Sequence, residues 1–129
     1  MVSASARFPG RAPIDAYGNG GFRFAGMSHR GSLLCLPSGI YAWEPHSTGA
    51  LRLDHVQRVV AERAEVDLLL FGTGSNTGPH PVFPAAEVLK AIAEAGIGLE
   101  MMDTGAACRT YNLLLAEGRR VAAALVAVD

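Results

Sequence analysis

The sequence has few aromatic residues, few cysteines and almost no lysine. Phe, Trp and Tyr total 9 of the 129 residues, Cys occurs twice, and lysine is 1 of the 11 basic residues. The formal charge of −1 argues against a dedicated nucleic-acid-binding protein, because such proteins are usually strongly basic. The longest uninterrupted apolar run, Val121 to Val128, is too short to span a bilayer. Since the first residues also lack the apolar stretch of a signal peptide, we expect a soluble cytoplasmic protein.

The two cysteines exclude a disulfide scaffold. Cys35 and Cys108 lie far apart in the sequence and form no CxxC motif. This usage is typical of free thiols in a reducing compartment. No spacing of His, Cys and Asp fits a zinc site, so the sequence predicts neither a metal nor a cofactor.

Small and branched apolar residues are abundant. Hydrophobic residues make up 50% of the chain, and 21 of them are alanine, 14 leucine and 10 valine. A chain of this length with this composition is expected to bury one core of closely packed small side chains. Residues 1–13 are rich in Ser, Ala, Arg and Pro and are predicted to form a flexible arm. Residues 14–129 are predicted to form a single α/β domain.

The first half of the chain shows the pattern of short β-strands. Alternating runs at 14–17 and 22–25 flank Asn19-Gly20, and this arrangement predicts a β-hairpin. Further strands are predicted at 27–30, 32–36 and 40–43.

Helices and strands alternate in the second half. The predicted elements are a helix at 55–64 with Asp54 as its N-cap, a strand at 66–71, a helix at 85–95, a strand at 97–102, a helix from 103 or 104 to 117, and a strand at 120–128. The strand at 66–71 is continuously apolar, as expected for a strand buried on both faces. With the next helix and strand it predicts a right-handed crossover between parallel strands. The fold class is therefore a three-layer α/β fold: a central mixed sheet with helices on its faces, plus an N-terminal β-hairpin layer.

Two polar segments follow the predicted ends of neighbouring strands. One is the glycine-rich loop at 72–78, and the other extends from Asp103 to Asn112. In open α/β sheets ligands bind at the carboxyl ends of the strands, so these segments predict a rim pocket for an anion or a small polar molecule. The candidate pocket residues are Thr73, Ser75, His80, Asp103, Thr104, Cys108, Arg109 and Asn112.

Each segment allows two interpretations. The loop could hold a phosphate on its backbone N–H groups, but its G-x-G-x-x-x-G spacing differs from the dinucleotide fingerprint, and glycines needed for tight turns explain it equally. Cys108, near a helix N-terminus and Arg109, could be a nucleophile with a lowered pKa. Only His80 is placed to act as its base. The alternative is a buried core Cys108 with Asp103 or Thr104 as an N-cap, and no residue is assigned as catalytic.

Three stretches carry a resemblance to a known family. They are Gly31–Pro37, Leu70–Gly74 and Asp103–Val121, the last containing DTGAACRTYNLL and EGRRV. They resemble the domain-of-unknown-function family that includes mitochondrial respiratory complex I assembly factor 3 and stand-alone bacterial and archaeal proteins. The resemblance covers about residues 14–127, and it implies a three-layer α/β fold.

The resemblance also implies a function. The mitochondrial relatives are implicated in assembling NADH:ubiquinone oxidoreductase at a membrane as binding factors, and the family has no established catalytic residue. We therefore expect a soluble binding module that holds a protein partner, from a respiratory or membrane-insertion complex, while a membrane complex is assembled. An enzyme is the less favoured expectation: a small-ligand or anion-binding enzyme at the rim, in which Arg109 and Thr104 hold the anion. We expect no nucleic-acid partner and no membrane-spanning segment, and the sequence leaves a homo-oligomer open.

Overall fold

A computed structural model describes residues 6–75 and 83–129. The first five elements are strands: β1 (Ile14–Gly18), β2 (Gly21–Phe24), β3 (Met27–Arg30), β4 (Ser32–Leu36) and β5 (Gly39–Trp43). Helices and strands then alternate: α1 (Leu53–Ala61), β6 (Leu68–Gly72), α2 (Ala86–Glu94), β7 (Gly98–Met102), α3 (Thr104–Ala116) and β8 (Val121–Leu125). This order confirms the predicted α/β fold.

The first three strands form a separate antiparallel sheet, which is the predicted hairpin layer. Asn19 and Gly20 connect β1 to β2 with φ angles of 52° and 78°, as the Asn-Gly signal predicts for a two-residue turn. The second turn, at Ala25 and Gly26, uses the same left-handed backbone with φ angles of 50° and 75°. An alanine rarely adopts this conformation, because its Cβ crowds the backbone.

The central sheet is mixed and has the strand order β5-β4-β8-β6-β7. β8 runs antiparallel to β4 and parallel to β6. β6 and β7 are parallel and are connected through α2, as predicted for the crossover.

Two apolar clusters cover the two faces of this sheet. Val59 of α1 and Ile92 of α2 belong to the cluster on one face. Tyr111 of α3 and Phe24 of β2 belong to the cluster on the other. The hairpin sheet and α3 therefore lie side by side in one outer layer, with α1 and α2 in the opposite layer.

The alanine-rich strand β8 lies at the centre of this arrangement. Each residue from Val121 to Leu125 is buried. Ala122 and Ala124 join the cluster beneath α1 and α2, whereas Ala123 joins the cluster beneath α3. Small side chains on both sides of one strand let both outer layers pack closely against it.

The beginning of α1 differs from the prediction. The helix starts at Leu53, and Arg52 rather than Asp54 is the N-cap. The backbone N–H of Arg52 donates to His55 Nδ1 at 3.0 Å. The Asp54 carboxylate is engaged instead by the Arg52 guanidinium, whose Nε lies 3.1 Å from Oδ1, so it is not placed to cap the helix.

Residues 6–8 lie against the outer edge of β5. The N–H of Arg7 donates to the carbonyl of Ile40 at 2.6 Å, and the N–H of Ile40 donates to the carbonyl of Phe8 at 2.9 Å. This short pairing occupies backbone groups of an edge strand that would otherwise be open to another chain.

Candidate functional site

The ends of β6 and β7 meet, as the crossover predicts. Both the N–H and the Oγ1 of Thr73 donate to the carbonyl of Met102, at 2.8 and 3.2 Å. Thr73, Asp103 and Thr104 therefore lie at one rim of the central sheet.

The Thr104 side chain is used inside the protein. Its Oγ1 accepts from the N–H of Gly74 at 3.0 Å and donates to the carbonyl of Val126 at 2.6 Å. The residue is fully buried. A Cβ on Gly72 would lie 3.0 Å from Thr104 Cα, so the glycine makes room for the first turn of α3. One hydroxyl thus joins the loop after β6, the start of α3 and the segment after β8.

Asp103 caps α3. Its Oδ1 accepts from the N–H of Ala106 at 2.8 Å, which satisfies one of the free donors of the first helical turn. Asp103, rather than Thr104, is the N-cap. A carboxylate at this position also interacts favourably with the helix dipole.

Cys108 lies in the core beneath α3. It is buried in the same cluster as Cys35, and both thiols are free. Burial raises the pKa of Cys108 to about 12, and the nearby positive charge of Arg109 opposes this rise without overcoming it. At neutral pH the side chain is a neutral thiol, which is not the reactive form of a cysteine nucleophile.

Asn112 and Arg109 connect α3 to the hairpin sheet. The Asn112 Oδ1 accepts from the N–H of Ile14, and its Nδ2 donates to the carbonyl of the same residue, each at 2.8 Å. Arg109 Nη1 donates to the Tyr17 hydroxyl at 2.9 Å. Asn112 therefore faces β1, and Cys108, one turn earlier in α3, faces the core.

The remaining candidate residues lie in or beside the loop after β6. Ser75 is exposed. His80 lies outside the described residues, as do residues 76–78 of the glycine-rich loop. In the described part of that loop the N–H groups of Thr73 and Gly74 are already bonded within the protein, so neither is available to a phosphate.

An exposed face on the outer layer was not predicted. Leu113 of α3 is 60% exposed and Tyr17 of β1 is 42% exposed. The three consecutive leucines at 113–115 indicate that at least one of them is exposed, because successive helical residues point about 100° apart and cannot all face one core. We call this surface the hairpin–α3 face; it comprises Tyr17, Arg109 and Leu113.

A separate cleft lies on the hairpin sheet. Its volume is about 270 Å³, and Tyr17, Gly18, Arg23 and Ser28 contribute to its lining. Ala16 pairs with Arg23, and Arg23 with Ser28, across the three strands, so these side chains point to the same side. Within residues 6–75 and 83–129 no group of three or more His, Cys, Asp or Glu residues is arranged to hold a metal ion.

The comparisons with known proteins identify the family. Residues 14–126 match the family described as protein of unknown function DUF498/DUF598. The chain belongs to this family. An uncharacterised protein of Rhodobacter capsulatus is 43% identical over 98% of this chain and 93% of its own length. The family match agrees with the resemblance found in the sequence.

The relatives of this chain also include an assembly factor. The mouse NADH dehydrogenase [ubiquinone] 1 alpha subcomplex assembly factor 3 is 31% identical over 94% of this chain. The chain spans 63% of the length of that mouse protein. One of these relatives is an assembly factor, and the other is uncharacterised.

The fold also matches a solved structure. The crystal structure of an outer membrane protein from Bartonella henselae has a TM-score of 0.86 and 50% identity, and it covers 95% of this chain and 100% of that chain. In the described part of this chain, no helix combines the length and apolarity needed to cross a membrane.

Proposed function

We propose that this protein is an assembly factor that binds a protein partner while a membrane respiratory complex is assembled. The observation that carries the proposal is the relationship to the mouse complex I assembly factor, which extends over 94% of this chain. Because the aligned region includes nearly the whole of this chain, we assign the assembly role to this domain.

The hydrogen bonding of the polar residues supports binding rather than catalysis. The side chains of Asp103, Thr104 and Asn112 bond to backbone groups of this chain. These contacts hold α3 against the central sheet and the hairpin sheet. The polar cluster that dominates the sequence therefore has a structural explanation that needs no ligand.

The hairpin–α3 face is the surface through which we propose that the partner binds. Exposed Leu113 and Tyr17 provide apolar area, and Arg109 lies between them. Tyr and Arg are enriched among the residues that contribute most to protein–protein binding. The two free thiols are consistent with a reducing compartment, and we place the activity in the cytoplasm.

Matched leucine variants test this role of the face. Leu113 and Leu53 are both exposed leucines at 60% and 42%, but Leu53 begins α1 in the opposite layer. We expect affinity-tagged wild-type protein and Leu53→Glu to retain subunits of the respiratory complex from cells in which assembly is in progress, whereas Leu113→Glu loses them. Equal retention by the two variants would exclude this face as the binding surface.

The enzyme alternative needs a ligand at the rim. It would depend on Ser75, Arg109 and the second carboxylate oxygen of Asp103, because the Thr104 hydroxyl already donates to Val126 and the Cys108 thiol is buried. A thermal-shift screen of small anions tests it. A ligand that raises the melting temperature of wild-type protein but not of Arg109→Ala would favour the enzyme over the assembly factor.

A further inference from the structure

One edge of the central sheet is free of pairing in the described part of the chain. β5 and β7 form the two edges, and residues 7 and 8 pair with the outer side of β5. Within residues 6–75 and 83–129, β7 pairs with β6 alone. An edge strand with free backbone groups is a template on which a strand of another chain can add.

The free backbone groups of this edge belong to Leu99 and Met101. The N–H of Gly98 donates to the carbonyl of Asp67 at 2.9 Å. Because the backbone groups of successive strand residues point to opposite edges, the N–H and carbonyl groups of Leu99 and Met101 point away from β6. Among the described residues none of these four groups has a hydrogen-bond partner.

The side chains of β7 determine what kind of strand fits beside it. Leu99 and Met101 pack against the cluster beneath α1 and α2, and both remain partly exposed. Glu100 points to the opposite face and is exposed. Its carboxylate makes no ion pair or hydrogen bond to any described residue. β7 therefore offers two apolar side chains on one face and one unmatched negative charge on the other.

An added strand has a defined pattern of side chains. Residues directly opposite each other on neighbouring strands have their side chains on the same face, whether the strands are parallel or antiparallel. One residue of the added strand would lie beside Glu100, and the two residues that flank it would lie beside Leu99 and Met101. A basic residue forms an opposite-charge pair with Glu100, and apolar flanking residues cover the exposed parts of the other two. The matching segment therefore has a basic residue between two apolar residues.

A second copy of this chain fits the edge less well. In an antiparallel pair of two β7 strands that uses both outward residues, Leu99 of one copy exchanges backbone bonds with Met101 of the other. Glu100 then lies directly opposite Glu100 of the second copy. Like charges in this position are destabilising, so the carboxylate disfavours self-pairing and favours a basic segment.

We infer that β7 binds an extended segment of a partner protein, which adds to the five-stranded sheet and places a basic residue beside Glu100. The inference goes beyond the proposed function, because no residue of β7 belongs to the hairpin–α3 face and the binding needs no respiratory complex. The backbone groups of Leu99 and Met101 hold the segment, and Glu100 selects its charge. Raised salt weakens the binding, since the charge pair is exposed.

A titration with a short peptide tests the inference. The full chain, labelled with ¹⁵N, is titrated with a peptide in which lysine lies between two valines and threonine lies at each end. We expect saturable shifts of the β7 amides in nuclear magnetic resonance spectra and slowed hydrogen exchange at the N–H groups of Leu99 and Met101. The N–H of Gly98 should be slowed little further, because it already donates to Asp67. No binding, or binding without protection of Leu99 and Met101, overturns the inference.

Charge-reversed variants test the role of Glu100. Glu100→Lys should weaken binding of the lysine peptide about tenfold, since it replaces attraction by repulsion at an exposed pair, and it should bind a peptide with glutamate in place of lysine. Glu65→Lys is the matched control: it makes the same charge change at an exposed glutamate between α1 and β6, and it should leave the affinity unchanged. Equal affinity of wild-type protein and Glu100→Lys for the lysine peptide, or loss of both peptides by a folded Glu100→Lys, overturns the inference.

Two further results would identify a different occupant of the edge. Slow exchange of the Leu99 and Met101 N–H groups in a dimer of the chain without peptide would make β7 an interface between two copies. Equal binding of a peptide with glutamine in place of lysine would show that the edge accepts an extended segment whatever its charge. Either result overturns the inference.

The titration fails separately from the proposed function. Retention of respiratory subunits that depends on Leu113, together with no binding of the lysine peptide, would overturn only the strand-addition inference. Binding of the peptide without retention of those subunits would leave strand addition standing and overturn the assembly role.

Discussion

The Asn112 side chain forms two hydrogen bonds with the backbone of Ile14, each 2.8 Å long. The side-chain amide of Asn112 thereby bonds to the backbone of β1 as the backbone of a neighbouring strand would. It joins α3 to the hairpin sheet across nearly the whole length of the chain, and this contact holds the two parts of the hairpin–α3 face together.

Replacing Asn112 is therefore expected to loosen this junction. Asn112→Ala should lower the free energy of unfolding by about 2 kcal/mol, because it leaves the N–H and the carbonyl of Ile14 without their partner. Asn112→Asp keeps an acceptor for the N–H but places a carboxylate against the carbonyl, so it should also destabilise. Urea unfolding measures both variants. Leu113→Ala, at the exposed neighbouring position, should change stability by less than about 0.5 kcal/mol, and equal losses at positions 112 and 113 would contradict the account.

The Thr104 hydroxyl should contribute more to stability than the Thr104 methyl group. Thr104→Val keeps the shape but leaves the N–H of Gly74 and the carbonyl of Val126 unpaired in a buried place, at a cost of about 3 kcal/mol. Thr104→Ser keeps the hydroxyl and loses one methyl group, at a cost of about 1 kcal/mol. In thermal and urea unfolding, wild-type protein should be the most stable, Thr104→Ser less stable and Thr104→Val the least stable. The reverse order of Ser and Val would show that packing, not hydrogen bonding, is what Thr104 provides.

Both thiols are expected to resist modification in the folded protein. Burial raises the pKa values of Cys35 and Cys108, so neither forms an appreciable amount of thiolate near neutral pH. A disulfide reagent at pH 8 should label both slowly in the native protein and rapidly after unfolding in urea. Mass spectrometry of the digested protein assigns the label to each site. Much faster native labelling of Cys108 than of Cys35 would restore the nucleophile hypothesis.

The same raised pKa values make the protein sensitive to alkali. A Cys108 thiol that keeps its proton to about pH 12 in the folded state loses it near pH 9.0 when unfolded. Its contribution to stability is therefore fully present below pH 9.0 and is lost as the pH rises toward 12. The free energy of unfolding should fall by at most about 1.4 kcal/mol per pH unit for this group. Cys108→Ala should reduce the fall in the free energy of unfolding above pH 9.0. If the free energies of wild type and Cys108→Ala fall with pH in parallel, the burial of Cys108 is contradicted.

Much of the fold follows from local patterns in the sequence. Asn19-Gly20 between two alternating runs identified the first hairpin, because few other residue pairs tolerate its left-handed backbone. The continuous apolarity before Gly72 identified a strand buried on both faces. The order of the strands could not be obtained in this way, since it depends on which elements pack together and not on their periodicity.

The candidate site shows the same limit. The ends of β6 and β7 meet as predicted, because parallel strands of one crossover end at the same edge. The contact between Asn112 and Ile14 was missed, because no local pattern indicates that β1 lies beside α3. Thr104, Cys108 and Asn112 recur every four residues and therefore share one side of a helix, but this spacing does not show whether that side faces a ligand or the core.

Deleting the gene in its native host tests the central claim most directly. The amount of assembled NADH:ubiquinone oxidoreductase in the membranes is measured by native gel electrophoresis and by NADH oxidation. We predict that the deletion lowers the amount of assembled complex, that wild-type protein and Leu53→Glu restore it, and that Leu113→Glu does not. An unchanged amount of assembled complex in the deletion strain would contradict the assembly role.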